Sequence, residues 1–87
     1  MEKIENCQLI NQSHVGKYAR FGGRGILDGL QGTPYKRDLE LIVKVTEDFI
    51  RVKPFRCHNT CLLPSYNFNQ QAEIYTPSEI KKFPEWA

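Results

Sequence analysis

The sequence has no long apolar run, because no uninterrupted stretch of apolar residues exceeds three. A membrane-spanning helix needs about 20 such residues, and the core of a secretory signal needs about 7 to 15. We therefore expect a soluble, cytoplasmic protein with no membrane partner.

Motifs for catalysis are also missing. The chain has two histidines, His14 and His58, and no G-x-S-x-G, H-E-x-x-H or Walker pattern. Its clustered glycines lack the G-x-G-x-x-G spacing of a dinucleotide site. A chain of 87 residues buries only a thin core, which leaves little room for an enclosed active site. These absences predict a protein that is not an enzyme and needs no cofactor.

The chain has only three cysteines, so they cannot all form disulfides within one chain. Cys57, His58 and Cys61 bring soft ligand types close together in sequence. However, zinc sites favour cysteines separated by two residues and a second clear ligand pair, and both are missing. We expect free thiols and no metal. Zinc at this cluster, or a local disulfide between Cys57 and Cys61, is the less favoured alternative.

Alternating apolar residues predict an antiparallel hairpin over residues 38–53. The pattern places Ile42 and Lys44 outward on the first strand and Arg51 and Lys53 outward on the second. The expected inward row is Leu39, Leu41, Val43, Val45, Ile50 and Val52.

Weaker signals predict the remaining elements. Residues 15–21 and 72–75 alternate well enough for strands, and residues 56–63 favour a third. Thr76 and Glu79 are spaced as a capping box for a short helical turn. The apolar residues of 1–14 follow neither the period of a helix nor that of a strand. We therefore expect an irregular N-terminal arm before a single domain of residues 15–87.

These elements predict a mainly β fold, a small antiparallel barrel with one short capped helical turn near the C-terminus. Residues 14–21, 41–52 and 72–83 resemble the first strand, the central hairpin and the closing strand of Sm-like and SH3-like barrels, including the barrel domain of ribosome-maturation proteins. The long segment 22–34 and the polar loop 65–71 depart from that pattern, so we expect an open, curled sheet. The resemblance implies binding of RNA, DNA or protein segments rather than catalysis.

The charge distribution predicts the ligand. The net charge is only +2, but basic residues gather between residues 16 and 37, where all six glycines also lie, and between residues 49 and 72, which contain no acid. We expect this basic, glycine-rich face to bind nucleic acid or a phosphate-bearing nucleotide. Surface charges that are merely solvated are the alternative. The candidate ligand residues are Lys17, Tyr18, Arg20, Arg24, Tyr35, Lys36, Arg37, Arg51, Lys53 and Arg56.

A second hypothesis is a small inhibitor or adaptor that binds a host protein, of the kind that phages carry, including counter-defence proteins. Aromatic side chains amid amides and serines suit an adaptable protein interface. The candidate residues are Tyr66, Phe68, Phe83 and Trp86. An unclosed sheet would also leave edges through which a second copy could pair.

Overall fold

The structure, a computed structural model, describes residues 1–23, 32 and 34–85. These residues form an antiparallel sheet in the order β1-β6-β2-β3-β4-β5, in which β1 and β5 are edges and the sheet is not closed. The predicted fold class is confirmed as a mainly β, open antiparallel sheet with one short helix near the C-terminus. The strands are β1 (Glu2–Ile4), β2 (Tyr18–Gly23), β3 (Glu40–Val45), β4 (Phe49–Pro54), β5 (Cys61–Pro64) and β6 (Gln71–Tyr75), and the helix is α1 (Pro77–Ile80).

The β3–β4 hairpin confirms the predicted pairing but corrects its inward face. The register shifts between Ile42 and Lys44, which leaves Val43 as the extra residue of a β-bulge. Ile42 is fully buried, whereas Val43 is exposed and Leu41 is half-buried. After the bulge the prediction was right, since Lys44 is exposed and Val45 packs against the core. Alternation alone could not show the change within β3, because a bulge gives the two parts of a strand opposite phases. On β4 the prediction was right, since Ile50 and Val52 are buried.

The first fourteen residues are not the predicted irregular arm. Strand β1 pairs with β6, and two 3-10 turns follow at Cys7–Leu9 and Gln12–His14. Each turn begins at an asparagine whose side chain accepts a backbone N–H two residues later. The core side chains of this segment, Ile4, Cys7 and Ile10, recur every third residue, a spacing that fits neither a strand nor an amphipathic α-helix.

Both faces of the sheet carry packed side chains, but not over equal areas. The larger cluster lies on the inner face, and the N-terminal segment and Phe68 complete it. On the other face, a smaller cluster of Leu39, Tyr75 and Ile80 packs with Tyr18 and Phe83. This smaller cluster therefore joins β2, β6 and α1 to Leu39, the residue immediately before β3. Farther along the same face no such cluster forms among the described residues: Lys44, Lys53 and Leu62 are exposed, and Phe49 and Arg51 are half-buried.

A buried ion pair lies beside the smaller cluster. Arg20 on β2 stands opposite Glu73 on β6, and its Nε donates to Glu73 Oε1 at 2.9 Å. The Tyr75 hydroxyl donates to the same oxygen at 2.8 Å, and Arg20 Nη2 donates to the Gly32 carbonyl at 3.1 Å. Burial, reinforced by the hydrogen bond to Glu73, raises the pKa of Tyr75 to about 12.

The capping box at the start of α1 is confirmed. Glu79 N–H donates to Thr76 Oγ1 at 3.3 Å, and Thr76 N–H donates to Glu79 Oε1 at 2.9 Å. Proline at the first helical position suits a site that needs no backbone donor. The Met1 ammonium, 2.6 Å from Glu79 Oε2, and the Thr76 N–H lower the pKa of Glu79 to about 2.

This pKa predicts a specific acid sensitivity. Because the folded-state pKa of Glu79 is about 2, below the ordinary value of 4.5, its contribution to stability is complete above pH 4.5 and is lost as the pH falls towards 2. Urea unfolding should therefore show Glu79→Gln less stable than the wild type at neutral pH, with the difference shrinking in acid. Glu5→Gln, which removes an exposed carboxylate from the N-terminal segment, is the control. A Glu79→Gln deficit that stays constant across this pH range would contradict the assignment.

Candidate nucleic-acid interface

The part of this sheet face that the smaller cluster leaves uncovered carries a group of basic and apolar side chains, and we call it the outer sheet face. In the pairing register, Leu41 lies opposite Lys53, Lys44 opposite Arg51, and Arg51 opposite Leu62. Directly opposed side chains share a face of the sheet. Phe49 joins them, because it lies two residues before Arg51 on β4. The outer sheet face therefore consists of Leu41, Lys44, Phe49, Arg51, Lys53 and Leu62, with three cations and no acid among these positions.

The side chain of Arg51 is held in place at the centre of this face. Its guanidinium carbon lies 5.7 Å from the centroid of the Phe49 ring, which is a cation–π contact. Its Nη1 donates to Thr60 Oγ1 at 3.2 Å. A guanidinium has five N–H donors, so stacking on one ring and one hydrogen bond leave capacity to bind a phosphate.

Of the predicted ligand residues, Arg51 and Lys53 lie on the outer sheet face, and Arg56 follows in the exposed turn after β4. Arg56 is close enough to Glu40 to affect its ionisation. Burial raises the pKa of Glu40, and the positive charge of Arg56 partly opposes that rise. Part of the Arg56 charge is therefore balanced by the protein itself.

The basic residues nearer the N-terminus lie elsewhere. Lys17 is half-buried at the entry to β2, and Tyr18 packs against the smaller cluster. Arg20 corrects the prediction, because its guanidinium is buried and bound to Glu73 and Gly32 rather than available to a ligand. Arg24 lies outside the described residues.

A third group precedes β3. Tyr35 and Lys36 are half-buried, and Arg37 is exposed. The backbone N–H groups of Lys36 and Arg37 donate to the carbonyls of Pro84 and Glu85, at 2.8 and 3.2 Å. These residues therefore lie against the C-terminal segment and are not part of the outer sheet face.

The aromatic residues predicted for protein binding do not form one surface. Tyr66 is 75% exposed, but Phe68 is buried in the larger cluster, which corrects its assignment to an exposed loop. Phe83 is half-buried, with its ring edge-to-face against Tyr75 at a centroid distance of 5.2 Å. Trp86 lies outside the described residues.

Sequence reasoning missed Lys44, Phe49 and Leu62 as members of one surface with Arg51 and Lys53. The signal for Phe49 was present, since the two-residue period of β4 places it beside Arg51 and Lys53. The pairing of Lys44 with Arg51 depends on the bulge, and the position of Leu62 depends on the β4–β5 register. Neither register can be read from one strand alone.

The comparisons with known proteins found no relative of this chain. No family model matches it, and neither a curated protein nor a solved structure does. The resemblance to Sm-like and SH3-like barrels therefore stays a prediction. In the part of the chain that the structure describes, no helix has the length and apolar character needed to cross a membrane.

The thiols differ in their environment. All three cysteines are free, with Cys57 and Cys61 exposed and Cys7 fully buried. Among the described residues, no group of three or more metal-ligating side chains is assembled, at Cys57, His58 and Cys61 or elsewhere. Burial raises the pKa of Cys7 to about 12, so its reactive thiolate form is suppressed.

We therefore predict that a thiol reagent such as DTNB modifies two cysteines of the native protein rapidly and the third only after unfolding. Mass spectrometry after partial reaction should place the label on Cys57 and Cys61. The variant Cys7→Val should keep the full native reaction amplitude. Labelling of Cys7 at the rate of the other two would contradict its position in the core.

Proposed function

We propose that this protein is a non-enzymatic binding module that holds nucleic acid on the outer sheet face. The observation that carries the proposal is the grouping of Lys44, Arg51 and Lys53 on adjacent strands with no acid among the outward positions. Lysine and arginine that neutralise phosphates release condensed counterions, and this release supplies most of the affinity of such surfaces.

The other members of the face suit nucleobases. Phe49 offers a ring against which the Arg51 guanidinium already packs, and both groups stack on bases. Leu41 and Leu62 add apolar surface beside the cations, and Leu62 is 52% exposed. A positively charged surface that also carries an aromatic side chain is typical of proteins that bind unpaired bases.

These features favour single-stranded over duplex nucleic acid. Reading the major groove requires a helix or a two-stranded ribbon that projects into it. Among the described elements, the β3–β4 hairpin does not project, because β2 and β5 flank it in the sheet. The four-residue helix α1 does not project either, because Ile80 packs into the smaller cluster. A protein inhibitor is the alternative, and the exposure of Tyr66 is the observation that favours it.

Fluorescence anisotropy with a labelled single-stranded oligonucleotide tests the proposal. With three phosphate contacts, the logarithm of the association constant should fall with the logarithm of the salt concentration with a slope of about −2. Lys53→Gln should weaken binding and reduce that slope by about 0.7, the contribution of one contact to a single strand.

Lys3→Gln is the matched control, because Lys3 is an exposed cation on β1, at the opposite edge of the sheet. It removes the same charge and should leave binding almost unchanged. Equal weakening by both variants would mean that only net charge matters. No binding at low salt would remove the proposal altogether.

A further inference from the structure

A concave surface lies away from the outer sheet face, on the inner side of the sheet. It has a volume of about 490 Å³, within the range of roughly 300 to 1,000 Å³ that is usual for ligand pockets. Its walls come from the N-terminal segment, the β3–β4 turn and the segment after β5. We call it the N-terminal cleft, and the lining residues used below are Gln8, Ile10, Val45, Glu47, Ser65 and Phe68.

Hydrogen bonds join the three walls in pairs. Gln12 Nε2 donates to the Val45 carbonyl at 2.6 Å, which ties the N-terminal segment to β3. Cys7 N–H donates to the Phe68 carbonyl at 2.8 Å, which ties the same segment to the stretch after β5. Ser65 N–H donates to the Asp48 carbonyl at 2.9 Å and closes the ring. The cleft is therefore preformed, so a ligand need not order it on binding.

The lining combines an apolar floor with hydrogen-bond acceptors. Ile10 and Phe68 are buried, and Val45 packs against the same cluster. Within the described chain, the side chains of Gln8, Glu47 and Ser65 have no hydrogen-bond partner. Glu47 is the one formally charged residue among the lining residues.

We propose that the N-terminal cleft binds an arginine side chain presented by a peptide. The lining contains no cation, so it does not match the phosphates expected on the outer sheet face. The apolar part of an arginine side chain would pack on the floor of the cleft. Its guanidinium has five N–H donors, which suit the Glu47 carboxylate, the Ser65 hydroxyl and the Gln8 amide carbonyl. This site is independent of nucleic-acid binding.

The test is an NMR titration of the ¹⁵N-labelled protein with the peptide acetyl-Gly-Arg-Gly-amide. Saturable shifts should appear at the backbone amides of Val45, Glu47 and Ser65. The same peptide with citrulline, which keeps the shape of arginine but not its charge, should bind at least about fivefold more weakly. Absence of saturable shifts, or equal binding of the citrulline peptide, would overturn the proposal.

Two neighbouring acids provide matched variants. Glu47→Gln should lower the affinity for the arginine peptide about fivefold. Asp48→Asn removes the same charge one residue outside the lining, and it should change the affinity less than about twofold. An equal loss in both variants would show attraction by surface charge alone and would overturn the assignment of Glu47. The unligated spectrum of each variant reports whether the fold is intact.

Discussion

The extra residue in β3 is the constraint on which both surfaces of the hairpin depend. Before the bulge, Ile42 pairs with Val52 in the core, and after it, Lys44 pairs with Arg51 and Val45 with Ile50. With no extra residue, continuing the first register would place Lys44 opposite Ile50, on the inner face. A lysine there would have to lose its hydration without a partner, at a cost of several kcal/mol. One inserted residue therefore completes the core and also supplies the third cation of the outer sheet face.

The side of the sheet that bears the outer sheet face is covered by the smaller cluster over β2 and β6 and is more open over β4 and β5. The buried ion pair belongs to the covered part. Arg20, Glu73 and Tyr75 satisfy one another by hydrogen bonds, so charged groups tolerate burial beside the smaller cluster. Removing one partner would leave the other charge buried and unpaired, at a cost of about 3 to 5 kcal/mol. The basic side chains of β2 and of β4 thus lie in different environments, because Arg20 balances a buried carboxylate whereas Lys53 is exposed and Arg51 is half-buried beside Phe49.

The features that sequence predicted well are local ones. The capping box needs only Thr76 and Glu79, and the inward facing of Ile50 and Val52 follows from a strand with no irregularity. The features that it missed depend on contacts between distant segments. The N-terminal segment is ordered by pairing with β6, and Phe68 is buried because the chain after β5 folds back onto Cys7. Likewise, the charge of Arg20 alone suggests a ligand-binding residue, because its partner Glu73 lies 53 residues away in the sequence.

The central claim is that the bulge presents Lys44, Arg51 and Lys53 as one binding face. Mapping the NMR chemical shifts of the protein during titration with a single-stranded oligonucleotide tests it most directly. We predict that the largest changes occur at these three residues and at the Arg51 Nε–H, with Phe49 and Leu62 beside them. Changes confined to residues 35–37, or to the surroundings of Tyr66, would contradict the account and assign binding to another surface.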